Sequence, residues 1–521
     1  MNSSIWTDTI WTDTIWTDTI WTDTIWTDTI WTDTIWTDIV LNFEQSRRDF
    51  LCRSGGGFAS VALSALLAEE SRANQLPTLP IDPLNPLAER VAQLAPRAKS
   101  VIFLFQYGGP STFDLLDYKP ELLKLNGKPV PESLKRQPDR VGGVFNHCKD
   151  ELMAGPWKWA QHGESGHWVS ELLPHTARHI DDLCQVRSMY SESSNHAPAT
   201  YLMNTGAILG GKPSLGSWVT YGLGSANQNL PGYVLLYKVG GLGGSANWSN
   251  AFLPAAFQGT QFRHEGSPVL NLQPPASLAD VQRSTLDFAQ TLNRKHASLR
   301  PGVLDLDGRI ASYELAYRMQ SAALDIGELS LETQATQESY GLQDANKDKA
   351  LFGRMCLLSR RLVEKGVRFV QLYNAVDKLG WDGHDHNTEF HNRNAAQTDQ
   401  PIAALLADLK QRGLLDSTLV IWAGEFGRTP MKQGNDGRNH NPYGFTIWMA
   451  GGGVNGGKVI GATDEIGLRA VDEPQSVKNL HATILTALGL SPDHLYFEHN
   501  GRQERLTGVA QSWRTIPGVF S

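Results

Sequence analysis

Short apolar runs bounded by glycine and polar residues recur along the chain, with helix-spaced apolar positions between them. Val101-Ile102-Phe103-Leu104-Phe105-Gln106, bounded by polar and glycine residues, predicts a buried strand. Leu183 to Met189 and Tyr233-Val234-Leu235-Leu236 predict two more. Gly366 to Tyr373, Thr418 to Trp422 and Phe445 to Met449 predict three in the C-terminal half. Leu286 to Leu299, Ile310 to Ile326 and Leu351 to Lys365 carry apolar residues at helical spacing. Ile402, Leu405, Leu406 and Leu409 share one face of a helix predicted from about Asp399 to Arg412, which Gly413 stops. Val477 to Leu490 predicts one more amphipathic helix. Strands alternating with helices give an α/β class, in which ligands bind beyond the C-terminal ends of the strands.

The N-terminus follows neither period. Residues 6–35 are six copies of Trp-Thr-Asp-Thr-Ile, and a five-residue repeat suits neither helix nor strand. Residues 1–45 read as low-complexity sequence, a translated microsatellite with a start codon placed too far upstream. Residues 46–73 read as a twin-arginine-type signal peptide. Arg47-Arg48 precedes Phe50-Leu51, a mildly apolar stretch from Gly55 to Ala68, and Ser71-Arg72-Ala73. The expectation is export, to the periplasm or beyond. Residues 74–98 read as a linker and approach to one domain over 99–521.

Composition narrows the function classes. Charged residues make up 19% of the 521 and hydrophobic ones 41%, which is globular rather than disordered. A formal net charge of −8 argues against a nucleic-acid binder. No apolar run approaches the ~20 residues of a membrane span. Cys52, Cys148, Cys184 and Cys356 form no CxxC pair and suggest no disulfide framework.

The candidate chemistry gathers where strands end. Asp114 follows the first predicted strand, after Gly108-Gly109, and either binds a ligand there or caps a helix. Ser191, Ser193 and Ser194 follow the second, as nucleophile candidates or as a helix cap, with Asn195-His196 after them as orienting groups. Asp382, His384 and His386 follow the Gly366–Tyr373 strand. Glu425 follows the Thr418–Trp422 strand, and His440 closes the next loop. Carboxylates and imidazoles clustered at neighbouring strand ends are costly to bury unless a metal holds them. Arg428 offers a bidentate fork for an anionic substrate group, or a salt bridge to Glu425. His147, His162, His167, His175, His179, His481, His494 and His499 read as structural or surface residues.

Several motifs together resemble one family. They are Gly108-Gly109-Pro110-Ser111 with Asp114 and Asp117-Tyr118-Lys119-Pro120, and Asn195-His196 with Thr205-Gly206. Trp381-Asp382-Gly383-His384 with Asn387, Gly424-Glu425-Phe426-Gly427-Arg428-Thr429-Pro430 and Gly437-Arg438-Asn439-His440 complete the set. The chain resembles the DUF1501 family, related to the alkaline phosphatase/sulfatase superfamily. That resemblance implies a three-layer alkaline-phosphatase-like fold, with a central, mostly parallel sheet flanked by helices. It implies a two-metal centre, commonly zinc, that cleaves phosphate or sulfate esters in small anionic or carbohydrate-ester substrates. Asp114 resembles the first-strand metal aspartate, Asp382 and His384 an Asp/His ligand pair with His386 beside them, and His440 the last histidine. Glu425 stands where relatives carry an Asp-His pair. Glu192 stands where a nucleophilic Ser or Thr is usual, leaving Ser191, Ser193 or a metal-bound hydroxide as candidates. The chain lacks the (Cys/Ser)-x-Pro-x-Arg motif of formylglycine sulfatases. The expectation is an exported metal-dependent hydrolase; the alternative is a non-catalytic binding or scaffold protein.

Overall fold

The strand beginning at Ser100 lies inside the sheet, with all six of its residues buried. The computed structural model describes residues 81–82, 85–135, 141–142, 144–145, 147–270, 272–300, 304–374 and 379–521. The pentapeptide repeat and the twin-arginine segment lie outside the described residues. In chain order the strands that matter here are β1 (Ser100–Phe105), β2 (Leu183–Tyr190), β3 (Tyr233–Tyr237), β4 (Thr260–Phe262) and β5 (Phe369–Tyr373). Then come β6 (Thr418–Ala423), β7 (Gly427–Gln433), β8 (Gly437–Asn441), β9 (Phe445–Ala450), β10 (Lys458–Ile460) and β11 (Gln475–Ser476). The main helices are α1 (His196–Thr205), α2 (Leu215–Leu223), α3 (Gln282–Ser298), α4 (Leu304–Gly327), α5 (Lys347–Glu364), α6 (Asn387–Gln411) and α7 (Val477–Ala487).

The central sheet has nine strands in the order β10-β2-β9-β6-β1-β5-β3-β4, with β11 also beside β2. β9 runs antiparallel to both β2 and β6, and every other pairing in this sheet is parallel. Alternation along the strands builds two cores. Val101, Phe103 and Phe105 face one side with Leu419 and Ile421, where Trp218 and Val219 of α2 and Leu480 and Ile484 of α7 cover them. Ile102 and Leu104 face the other side with Val370 and Val420, under Met355 and Leu358 of α5 and Leu405 and Leu409 of α6. The protein is therefore a three-layer α/β structure with a mostly parallel sheet. Residues 85–98 lie against the domain, where Arg90 donates to the carbonyls of Tyr221 at 2.6 Å and Thr220 at 3.1 Å.

The longest departure from the apolar pattern is α6. It begins at Asn387, well before the predicted start near Asp399. Asn387, His391, Asn394 and Thr398 share a buried face at helical spacing, yet none is apolar. That face packs against loop backbone, which needs hydrogen bonds rather than methyl groups. His391 Nε2 accepts from the Ser111 amide at 2.9 Å, its Nδ1 donates to the Asn387 carbonyl at 2.9 Å, and Asn394 donates to the Gly380 carbonyl at 2.8 Å. β7 and β8 escape the apolar pattern for a similar reason: their buried faces carry Arg428, Thr429, Arg438 and Asn441.

His391 and His481 are both fully buried, and burial holds each imidazole down to about 4. In the unfolded chain such groups titrate near 6.5. The unfolded state therefore binds more protons between these values, so stability falls as pH falls through that window. We expect the urea midpoint to drop between about pH 7 and pH 4.5, and His481→Gln to flatten that drop. A variant profile parallel to wild type would refute the assignment.

Candidate metal centre

Four chain segments leave the sheet at neighbouring strand ends and meet. β1 runs into Tyr107-Gly108-Gly109, β5 into the segment carrying Trp381 and Asp382, β6 into Glu425, and β2 into the turn before α1. Gln106 Oε1 accepts from Asn374 Nδ2 and Trp381 Nε1, both at 3.2 Å, and the Trp381 amide donates to the Tyr107 carbonyl at 3.0 Å. These bonds pin the backbone on the N-terminal side of Asp382. Gly108 has a φ of 101°, and a Cβ there would lie 2.5 Å from both Leu379 O and Trp381 N. Only glycine lets the two segments approach so closely. The β7–β8 hairpin sets Arg428 opposite His440.

Ligand atoms of His196, Asp382, His384 and His440 all lie within 4.8 Å of one another. His384 Nε2 and His440 Nε2 are 3.0 and 3.2 Å from Asp382 Oδ1, and His196 Nε2 is 3.2 Å from Oδ2. Each Nδ1 is engaged elsewhere: His196 with Glu425 Oε1 at 2.6 Å, His384 with Gln433 Oε1 at 2.7 Å, and His440 with the Ser194 carbonyl at 2.6 Å. Carboxylate and carbonyl oxygens accept hydrogen bonds, so each Nδ1 carries the proton and donates. The three Nε2 lone pairs then face one point.

That arrangement demands positive charge. His384 Nε2 and His440 Nε2 stand 3.0 Å apart with no proton between them in these tautomers. His196 Nε2 is buried and makes no hydrogen bond, despite its nearness to Asp382. Four tetrahedral ligands about 2.0–2.1 Å from a zinc ion sit about 3.3 Å apart; here His384 and His440 Nε2 are 3.0 Å apart and all four ligand atoms lie within 4.8 Å of one another. The residues fit a divalent cation, with three imidazole nitrogens and one carboxylate as donors. The outer partners orient the imidazoles as metal-binding histidines require. Access is from the His384 side, whose side chain is 36% exposed against 10% for His196 and 14% for His440.

The electrostatics agree. Burial alone would raise the Asp382 carboxyl, but the Arg428 charge, with the three imidazoles beside it, holds it far below the usual carboxylate range. Burial, with the charges of Arg428 and His196, pushes His440 down to about 3 against the pull of Asp382. Burial lowers His196, but Asp382 and Glu425 outweigh it and raise its affinity for a proton. The field that would draw a proton there draws a cation equally well.

Of the residues expected from sequence, Asp382, His384 and His440 come together. Glu425 is fully buried behind them; its Oε1 accepts from His196 and, at 2.9 Å, from the Gly108 amide, while Oε2 has no partner. Arg428 is buried and spends its donors internally: on Asp382 Oδ1 at 2.7 Å, Gly109 O at 2.8 Å, Arg438 O at 3.2 Å and Gly108 O. It positions Asp382 rather than presenting a free fork. Asp114 lies outside the four-residue cluster, with Arg438 Nε on its Oδ2 at 2.8 Å and Nη2 on its Oδ1 at 3.1 Å. His386 is exposed at the start of α6, its backbone bridged to Asp436. The Ser193 hydroxyl accepts from the Asn195 amide at 3.1 Å, whereas the buried Ser191 hydroxyl has no partner. His196 joins the cluster, although the sequence suggests it only as an orienting group for a nucleophile. Its position at the first turn of a helix after a strand is the signal that makes it a ligand candidate.

The whole motif set, from the Gly108 turn to His440, lies within residues 98–519, which match a family model described as a protein of unknown function, DUF1501. The chain belongs to the DUF1501 family. No curated protein matches it. Solved structures similar to this DUF1501 chain include the sulfatase PsFucS1 from Pseudoalteromonas sp., at 13% identity and TM-score 0.32, covering 83% of this chain and 71% of that one. The phosphonate monoester hydrolase SpPMH from Silicibacter pomeroyi is 11% identical with TM-score 0.34, over 80% of this chain and 78% of its own. An alkaline phosphatase superfamily protein from Vibrio parahaemolyticus is 12% identical with TM-score 0.31, over 79% and 71% respectively.

Single substitutions His196→Ala, His384→Ala and His440→Ala in the DUF1501 chain should each cut zinc retained after dialysis by more than about tenfold, while His386→Ala keeps it. Elemental analysis of the dialysed proteins checks this. Asp114→Ala, which strands Arg438 as a buried unpaired charge, should cost about 3–5 kcal/mol in urea unfolding. A cost below about 1 kcal/mol would mean that the pair is solvated.

Proposed function

We propose that this protein is a metal-dependent hydrolase of phosphate or sulfate esters, exported to the periplasm or beyond, with a small anionic or carbohydrate-ester substrate. One observation carries the reading: three imidazole Nε2 lone pairs and the Asp382 carboxylate converge, and every imidazole Nδ1 is fixed by an acceptor. Three nitrogens and one oxygen suit zinc. When bound, such a cation supplies Lewis-acid polarisation of an ester oxygen.

The chain's own residues prepare that chemistry. Arg428 holds Asp382 in position, and Glu425 keeps the His196 Nδ1 proton and ring orientation. Phe426 lies against His196 and His440, and Tyr107 against His196, which keeps water from the inner face. Burial, then the charge of Glu425, raises the Tyr107 phenol and keeps it protonated. Ser191 is the nucleophile candidate we favour, because its hydroxyl is buried and uncommitted while that of Ser193 serves the Asn195 amide. Export rests on the Arg47-Arg48 segment alone.

A second reading, a metal-stabilised binding or scaffold protein, has its own support. Glu192, where a hydroxyl nucleophile would be expected, points to Lys478 at 3.1 Å and is 42% exposed. A panel of aryl phosphate and sulfate esters on zinc-loaded protein separates the two. We expect turnover that falls more than about 100-fold in His440→Ala and in Ser191→Ala but little in Ser193→Ala. No turnover with metal fully loaded favours the binding reading.

A further inference from the structure

The superfamily resemblance implies two cations; the side chains provide for one. We infer that the centre is mononuclear, with one divalent cation on His196, Asp382, His384 and His440, and with the Asp114–Arg438 ion pair filling the place of a second. This rests on the metal-dependent reading above and narrows it.

Free donor atoms are too few for a second cation. Both oxygens of Asp114 are taken by the Arg438 guanidinium, and Oδ2 also receives Asn387 Nδ2 at 3.3 Å. Asp382 Oδ1 already receives Arg428 at 2.7 Å and faces two imidazoles. Glu425 Oε1 takes two N–H donors. The residue at the end of β1 is the amide Gln106, committed to Asn374 and Trp381. The one unpartnered carboxylate oxygen left for a second cation is Glu425 Oε2, with Asp382 Oδ2 if the carboxylate bridges; the other unpartnered oxygens, Asn387 Oδ1, Ser111 Oγ and Ser191 Oγ, are neutral. A zinc ion takes about four ligands and magnesium or calcium about six to eight, so two protein oxygens make a poor site.

Charge points the same way. Asp382 and Glu425 bring two negative charges and Arg428 one positive, and ligating histidines are neutral. The protein groups sum to about −1, so one divalent cation leaves about +1, matched to one anionic substrate group. A second would leave about +3 in a largely buried site, and the Asp114 carboxylate is already neutralised by Arg438.

Cobalt tests this without reference to turnover. The full chain is stripped with a chelator, loaded with excess Co²⁺ and dialysed. Cobalt per chain is then measured by elemental analysis, alongside visible absorption and electron paramagnetic resonance. We expect one cobalt per chain, the intense absorption of a four-coordinate ion and no exchange coupling. Two cobalts per chain, a coupled pair, or no retained cobalt overturns the inference. An inactive protein holding one uncoupled cobalt sinks the hydrolase reading and supports this one. Activity that requires a second equivalent does the reverse.

Discussion

The Asp382 carboxylate is the group around which the rest of the site is arranged. Its side chain is 14% exposed, and a charge so far out of water is costly unless it is matched. Arg428 answers part of that cost from one side, and His196, His384 and His440 crowd the other. Neutral imidazoles with lone pairs turned inward do not complete the match. Either extra protons or a cation must, and the Nδ1 acceptors favour the cation by fixing which nitrogen is free. The same carboxylate therefore explains the buried arginine, the convergence of the three imidazoles and, with Glu425, the raised proton affinity of His196.

Holding Asp382 there recruits much of the fold. The Trp381–Asp382 segment meets the end of β1 across Gly108, where no side chain fits. The hairpin of β7 and β8 approaches just as closely: a Cβ on Gly437 would lie 1.6 Å from His384 O. α6 turns its polar face to these loops, so that Ser111, Gly380 and Asp114 find partners on a helix rather than in water. The sheet supplies rigidity, and these backbone approaches convert it into positions for side chains.

Much of this arrangement is legible in the sequence. Strands rich in Val, Ile, Leu and Phe, such as Val101–Phe105, announce themselves because burial on both faces leaves no room for polar residues. Asp382, His384 and His440 stand out because acids and imidazoles just past buried strands need a reason to be there. The N-terminal half of α6 does not, because its buried face serves backbone amides and carbonyls, and hydrophobic periodicity is blind to that use. Arg428 and Arg438 are ambiguous for a related reason. One sequence position cannot tell whether a guanidinium faces a ligand or neutralises a neighbour such as Asp382 or Asp114, since pairing depends on contacts across 46 and 324 residues of chain. The sequence puts His196 at a strand end beside the serine turn; only the fold reveals that Glu425 holds its Nδ1.

Charge balance separates what this site is built for from what it does. The outer acceptors Ser194 O, Gln433 Oε1 and Glu425 Oε1 come from three different segments, and all are spent on imidazole orientation. A protein that needed histidines only for packing would gain nothing from setting two lone pairs 3.0 Å apart, where they repel, with a third imidazole on the same carboxylate. The proposed cation site thus draws on many residues at once, and no single substitution at the nucleophile position would erase it. Hydrolysis asks for one group more, an uncommitted hydroxyl or its equivalent, and in the Ser191–Ser194 turn only Ser191 lacks a partner among the serines. Because these demands are met by different residues, a chain can keep the first and lose the second, which is why the cation is the better-founded conclusion and the reaction is the one that turns on a single side chain.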